Sequence, residues 1–476
     1  MKFVLATALF AIAGTVSGVQ LPLLGPKSYP QEMHDNENPL KYVSTNGPYV
    51  DRRSYGISRD PPESCEVDQM VMIMRHGERY PSNGVAKTIN KVVKKLYEGP
   101  KQFAGDLEFL NRWKSPFGNR CDYALETFSG PYAGRADAFL RGAEYRGRYN
   151  HLLSNESKHN IVPFFASGFQ RVIETARMFG QGFFGYEYSN VSALNIIPED
   201  DNQGANSLAP GCWAKETVDV DKVQEKIEQF PQFKVAAERF NSQNGGLNLT
   251  STDIYWLMSG AGYELGIRPG TPWITAFTPD EWATFAYVSD VLYYYKNGPG
   301  NANQVAAGSN FVNATVRALQ SNATSMKLIM NFSHHSAIIP MIAAFNIVNP
   351  EKDLPLTHPV FNSKWQVSDI MPMGGHLVIE RLACNQTAIS PRGQYVRFVL
   401  NEAVVPMEEC QSGPGYTCPL AEWTNYYQKN LHNYAEECKV PEKYPQKLDF
   451  WWHANHTSDL NFRLTPITCG EEETGE

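Results

Sequence analysis

Two arginines and a histidine fall within five residues, Arg75, His76 and Arg79, immediately after the apolar run Met70-Val71-Met72-Ile73-Met74. Guanidinium forks match the paired oxygens of a phosphate. An imidazole held between them is a candidate nucleophile toward phosphorus. Gly77 lets the backbone turn closely there, and Pro81 blocks any continuation of the strand. The same grammar recurs twice. Asn160-Ile161-Val162-Pro163-Phe164-Phe165-Ala166 runs into Ser167-Gly168-Phe169-Gln170-Arg171, and Lys327-Leu328-Ile329-Met330-Asn331-Phe332-Ser333 runs into His334-His335. Ligands of open α/β sheets bind beyond the carboxyl ends of strands. If these runs are strands of one parallel sheet, Arg75, His76, Arg79, Arg171, His334 and His335 meet in one crevice.

The intervening chain supplies the scaffold. Val85, Ile89, Val92 and Leu96 recur at helical spacing and predict an amphipathic helix with a lysine face. Lys87 on that face is close enough in sequence to touch a substrate. Val172-Ile173-Glu174-Thr175-Ala176-Arg177 opens a helix after Arg171. Thr278-Pro279-Asp280-Glu281 combines an N-cap, a proline at the first helical position and a capping-box glutamate, and Asn297-Gly298-Pro299 ends that helix. The segments Gly374–Arg381 and Tyr395–Leu400 read as further strands. The expected fold is α/β, a mainly parallel sheet flanked by helices, with an inserted mainly helical subdomain forming one wall of the crevice. The α/β core takes residues 61–81, 160–197 and 326–476. The helical subdomain takes 82–159 and 198–325, and residues 19–60 form an extended N-terminal arm.

With 476 residues and 42% apolar content, the chain can bury a large core. Its net charge of −8 disfavours nucleic acid as a partner, so an anion site must be a local concentration of arginine. Lys2 followed by a short apolar stretch ending near Gly18 reads as a cleaved signal peptide, residues 1–18, and no later run is long enough to anchor the chain in a membrane. The eight cysteines are even in number and contain no C-x-x-C pair, which predicts disulfides and no metal centre. Cys410 with Cys418 is the safest local pair. Glycan acceptor sequons begin at Asn155, Asn190, Asn248, Asn313, Asn322, Asn385 and Asn455, while Asn331 sits in an apolar strand and should stay bare.

Arg75-His76-Gly77-Glu78-Arg79-Tyr80-Pro81 resembles the defining motif of the histidine acid phosphatases. Ser64–Gln69, Arg171–Ala176, Met373–His376 and Cys410–Gly415 extend the likeness toward the secreted fungal acid phosphatases and phytases, closest to the phytase B type. The resemblance implies a phosphoglycerate-mutase-like core and a secreted, cofactor-free hydrolase of small phosphate monoesters, phytate among the candidates. It implies His76 as nucleophile through a phosphohistidine, Arg75, Arg79 and Arg171 as the phosphate clamp, and His334 as a donor to the phosphate. It implies the pairs Cys65–Cys384, Cys121–Cys469, Cys212–Cys438 and Cys410–Cys418. Relatives often assemble, so a homo-oligomer is compatible with it.

One residue departs from that family. Where it places an acid/base carboxyl after the second histidine, this chain has His335, then Ser336. An ordinary imidazole is charged below about pH 6.5 and can donate a proton. Neighbouring arginines would lower that value. A protonated His335 could not serve as base in a second step and would hold product phosphate more tightly. Slow dephosphorylation and an upward-shifted pH optimum are therefore expected. Glu264 is a second candidate proton source. The alternative is an altered or non-hydrolytic family member that binds phosphate esters or has been recruited to other chemistry.

Overall fold

The structure is a computed structural model that describes residues 39–153, 161–320, 326–360 and 363–454. The expected leader, the first part of the arm, Cys469, and the sequons at Asn155, Asn322 and Asn455 lie outside these residues.

β1 (Cys65–Arg75) is buried along nearly its whole length, which explains its unbroken apolar run. It anchors an eight-stranded sheet with β2 (Val162–Ser167), β3 (Ser192–Ile197), β4 (Leu328–Ser333), β5 (His376–Cys384), β6 (Gly393–Leu400), β7 (Ala403–Val405) and β8 (Cys418–Pro419). The order is β3-β2-β4-β1-β5-β6-β7, with β8 paired to β6. The half from β3 to β1 is parallel. The half from β5 onward runs antiparallel, so the sheet is mixed. β3 was not legible as a strand; its side chains are only partly buried at an edge, so its apolar pattern is weak.

Register does the positioning. β4 inserts between β1 and β2, pairing Arg75 with Ser333 and Phe332 with Ala166. The next residues, His76 and His334, therefore leave the sheet side by side. Ser167 and Ser333 touch through their hydroxyls at 3.1 Å.

Helices cover both faces. α1 (Asn83–Tyr97) buries Ala86, Ile89, Val92, Val93 and Leu96, the stripe its spacing predicts. α2 (Gly134–Tyr149) was grouped with the helical subdomain on sequence grounds. It packs instead on α3 (Gln170–Phe184) and the sheet, with Tyr145 and Tyr149 in one cluster with Phe179, Phe183 and Met72. Glycine permits that approach: a Cβ on Gly142 would lie 2.1 Å from the Phe179 carbonyl oxygen. The described part of the expected extended arm, residues 39–60, packs on the core: Val43 and Thr45 are fully buried and Arg59 pairs with Glu380 and Glu402.

The helix Pro279–Lys296 begins with the expected Thr278/Glu281 capping box. It meets the helix His335–Phe345, whose interior Pro340 leaves the Ser336 carbonyl without its helical donor. Asn297 supplies that hydrogen bond at 3.3 Å, tying the two helices together.

Three disulfides lie among the described residues: Cys65–Cys384, Cys212–Cys438 and Cys410–Cys418. The fourth pair implied by resemblance includes Cys469, outside the described residues. Asn331 is fully buried between the Met72 carbonyl and the Trp451 indole, whereas Asn190, Asn248, Asn313 and Asn385 are exposed.

Gly142→Ala should destabilise the protein by about 2 kcal/mol or more, because the added methyl meets backbone that cannot yield cheaply. Gly147→Ala, on the same helix with open space around it, should be neutral or slightly stabilising. Equal denaturation midpoints for the two variants would contradict this packing.

Candidate active site

His76 is fully buried where β1 ends. Its backbone is held from both sides, by the Ser333 carbonyl at 3.1 Å and by the Gly374 amide at 2.9 Å. Its Nδ1 lies 2.9 Å from the Gly77 carbonyl. A carbonyl only accepts, so the ring hydrogen sits on Nδ1 and Nε2 carries the lone pair. Nε2 is buried and has no hydrogen-bond partner among the described residues. Burial, then Arg75, Arg171 and Arg79, hold His76 well below the ordinary imidazole range. These surroundings favour a neutral ring with its lone pair on Nε2.

The arginines come from three directions. Arg75 closes β1 and donates to the Thr45 and Met371 carbonyls at 2.7 and 2.9 Å. Arg79 donates to the Tyr80 carbonyl at 2.9 Å and lies over the Tyr263 ring. Arg171, at the start of α3, lies over Phe169 and reaches His334 Nδ1 at 3.4 Å. A guanidinium only donates, so His334 Nδ1 accepts and its Nε2–H donates to Glu199 at 3.0 Å. His334 thereby bridges Arg171 and Glu199. The rings of His76 and His334 are 5.7 Å apart.

Beneath this cup lies a neutral acid layer. Gly77 N donates to Glu126 Oε1 at 3.0 Å and to Thr175 Oγ1 at 2.9 Å. A Cβ on Gly77 would lie 2.7 Å from both Glu126 Oε1 and the Gly134 Cα, so only glycine fits. Burial pushes Glu126 and Glu78 up to about 8. Both stay uncharged in acid and leave the guanidinium charge uncancelled.

His335 opens the helix that follows β4. Burial, then Arg75, Arg79, Lys296 and His334, lower its pKa well below the usual value. These surroundings favour the neutral ring, the direction expected from the neighbouring arginines, and a neutral imidazole can act as a base. Its Nε2 lies 3.4 Å from the Tyr293 hydroxyl. Glu264 is spent elsewhere, accepting from Trp113, Arg268 and Thr271, so it is part of the wall. Lys87 is exposed on α1, and among the described residues no hydrogen bond or ion pair links it to the cluster.

Sequence reasoning missed Glu199, Glu126, Thr175, Thr45 and Tyr293. For Glu199 a signal existed: Asn195-Ile196-Ile197-Pro198-Glu199 repeats the strand-then-polar grammar of the other three edges.

A family model described as Histidine phosphatase superfamily (branch 2) matches residues 66–401. The chain is 33% identical over 423 residues to Phytase PHO112 of Candida albicans, covering 87% of this chain and 90% of that protein. It is 32% identical over 475 residues to the constitutive acid phosphatase of Saccharomyces cerevisiae, covering 95% and 96%. The crystal structure of the phytase from D. castellii matches with a TM-score of 0.83 at 31% identity, over 90% of this chain and 94% of that one.

The acid layer carries a stability signature. The folded pKa of Glu126 is raised from 4.5 to about 8, so its contribution is complete below the unfolded value and is lost as pH rises through the folded one. Glu78 and the buried Asp290 shift in the same direction. His76 and His335 are lowered from 6.5, so their contribution is lost only as pH falls below that value. From pH 6.5 to 8 the carboxyls act without that opposition, and the thermal midpoint should fall. Glu126→Gln, which mimics the protonated acid, should flatten the slope by up to about 1.4 kcal/mol per pH unit. An unchanged slope in calorimetry would refute the assignment.

Proposed function

The chain belongs to the histidine phosphatase superfamily, branch 2, and from that premise we propose that it hydrolyses phosphate monoesters through a phosphohistidine on His76. The observation that carries this reading is the buried Nε2 of His76, without a hydrogen-bond partner among the described residues, beside three buried guanidiniums. Its lone pair forms the P–N bond while the bond from phosphorus to the leaving oxygen breaks. Arg75, Arg79 and Arg171 offset the charge spread over the phosphoryl oxygens. Water then attacks phosphorus and restores the imidazole. Phosphoryl transfer needs mainly positioning and charge neutralisation, and fixed guanidiniums provide both.

Secretion is part of the proposal. A leader-like start, disulfides and exposed sequons support an oxidising, extracellular setting. No helix among the described residues is long and apolar enough to cross a membrane. Candidate substrates range from small aryl phosphates to phytate. The histidine at 335, where the family resemblance implies a carboxyl, favours a second reading, a phosphate-ester binder that does not turn over.

Rapid-quench kinetics with p-nitrophenyl phosphate separates the two. A burst of nitrophenol and an acid-labile phosphoryl label, both absent in His76→Ala, are expected. No steady-state release of nitrophenol and no label, with inorganic phosphate still bound, would leave only the binder.

A further inference from the structure

The main chain of His76 hangs on a turn with no side chains of its own. Gly374 donates its amide to the His76 carbonyl at 2.9 Å, and the Gly375 carbonyl accepts from the Arg75 amide at 2.8 Å. Glycine is the least restrained residue of a chain, and Gly374 sits at φ +68°, where other side chains rarely go. Such a turn keeps its shape only if other groups hold it. One hold is the bond from the Gly375 amide to the Pro372 carbonyl at 2.9 Å. A second is His376, whose Nδ1 lies 3.0 Å from the Gly374 carbonyl.

His376 opens β5 and is fully buried. Its Nε2 lies 3.0 Å from Glu402 Oε1. Glu402 is held well below the usual carboxylate range: burial opposes this, and the hydrogen bond and charge of His376, with Arg59 and Arg141, outweigh it. A carbonyl and a carboxylate only accept, so both ring nitrogens of His376 carry hydrogen. The ring is an imidazolium. Tyr49 stacks on it with 5.4 Å between centroids, and Tyr145 meets it edge to face at 5.6 Å. The face of an aromatic ring suits a cation. The main chain is fixed as well, since the His376 amide donates to Asn401 Oδ1 at 2.7 Å and its carbonyl accepts from the Asn401 amide at 3.0 Å.

We propose that His376 is a positioning residue for the nucleophile: an imidazolium anchored on Glu402 clamps the Gly374 carbonyl, and the Gly374 amide in turn holds the main chain of His76. The proposal rests on the hydrolytic reading above. A hydrogen bond from a charged donor is roughly twice as strong as a neutral one, which suits a clamp on a glycine turn. Both ring nitrogens are engaged, so His376 acts on the reaction through the turn and not on the phosphate. A loosened turn lets the His76 ring drift out of line with phosphorus, and about 1 Å of drift can cost about 10²-fold in rate.

Two amides separate the two nitrogens. His376→Asn keeps a donor near the place of Nδ1 and loses the reach to Glu402; His376→Gln keeps a donor near the place of Nε2 and loses the clamp. On p-nitrophenyl phosphate, kcat/KM reports formation of the phosphoenzyme. It should stay within about tenfold of wild type in His376→Asn and fall about 10²-fold in His376→Gln. Inhibition by inorganic phosphate, which the guanidiniums bind, should stay within about threefold in both. A role confined to the Glu402 ion pair predicts the reverse order. Nitrogen NMR of the histidine-labelled wild type, in mildly acid buffer, should show hydrogen on both ring nitrogens of His376, and this arm stands if the variants fail to fold. A glutamine variant as active as the asparagine variant, phosphate affinity falling in step with kcat/KM, or a single ring hydrogen on His376 would each overturn the clamp. A wild-type protein that releases no nitrophenol would instead remove the hydrolytic reading, and the ring hydrogens would still test the clamp without turnover.

Discussion

Three guanidiniums held almost out of water set the terms for everything around them. Arg75, Arg79 and Arg171 are each no more than 2% exposed. Burying a charge is costly unless it is hydrogen-bonded or paired. Their partners include the Thr45, Met371 and Tyr80 carbonyls and the faces of Tyr263 and Phe169. Carbonyl dipoles lower the cost of burial and leave the net charge intact. Glu199 is kept one imidazole away, behind His334. The nearest buried acids, Glu78 and Glu126, are neutral in acid for the same reason the arginines are costly, namely low-dielectric surroundings. As those acids ionise toward pH 8 they cancel part of the cup's charge, so its attraction for a dianion is coupled to acidity through the layer underneath.

Strand order converts this chemistry into geometry. A histidine after β1 and another after β4 become neighbours only because β4 lies between β1 and β2 in register with Arg75. Backbone bonds then hold the loop after β1 against β4 and the turn at Gly374. The orientation of His76 follows from the sheet and from Gly77, whose missing side chain lets Glu126 and Gly134 close against it.

What could be read from the sequence follows from the same division. The apolar runs that end in arginine or histidine were legible because a strand buried on both faces has little freedom in composition. The capping box at Thr278 was legible because its partners are three residues apart. Glu199, Thr45, Tyr293 and Glu126 were not, since each acts on a site residue far away in sequence and nothing local marks the contact. The antiparallel half of the sheet, the seat of α2 on α3 and the folded state of residues 39–60 were hidden likewise, being outcomes of packing. His335 shows the limit most clearly. Its identity was visible as a departure, but its protonation state depends on burial and on Arg75, Arg79 and Lys296, which arrive from other elements.

That dependence alters what the substitution means. A carboxylate at position 335 would stand among guanidiniums as an ion-paired group of depressed pKa, giving up its proton readily but attracting those same cations away from phosphate. An imidazole in the same place is pushed toward neutrality by the charges that would have held the carboxylate. The exchange therefore trades a charged acid/base for an uncharged one and leaves the cup more positive by the charge no longer cancelled. A dianionic ester gains from that field before any proton moves. The cost falls on proton transfer, which must now pass through a ring with two nitrogens in place of a carboxyl with two equivalent oxygens. Such a ring works only if its hydrogen is on the side that the step requires.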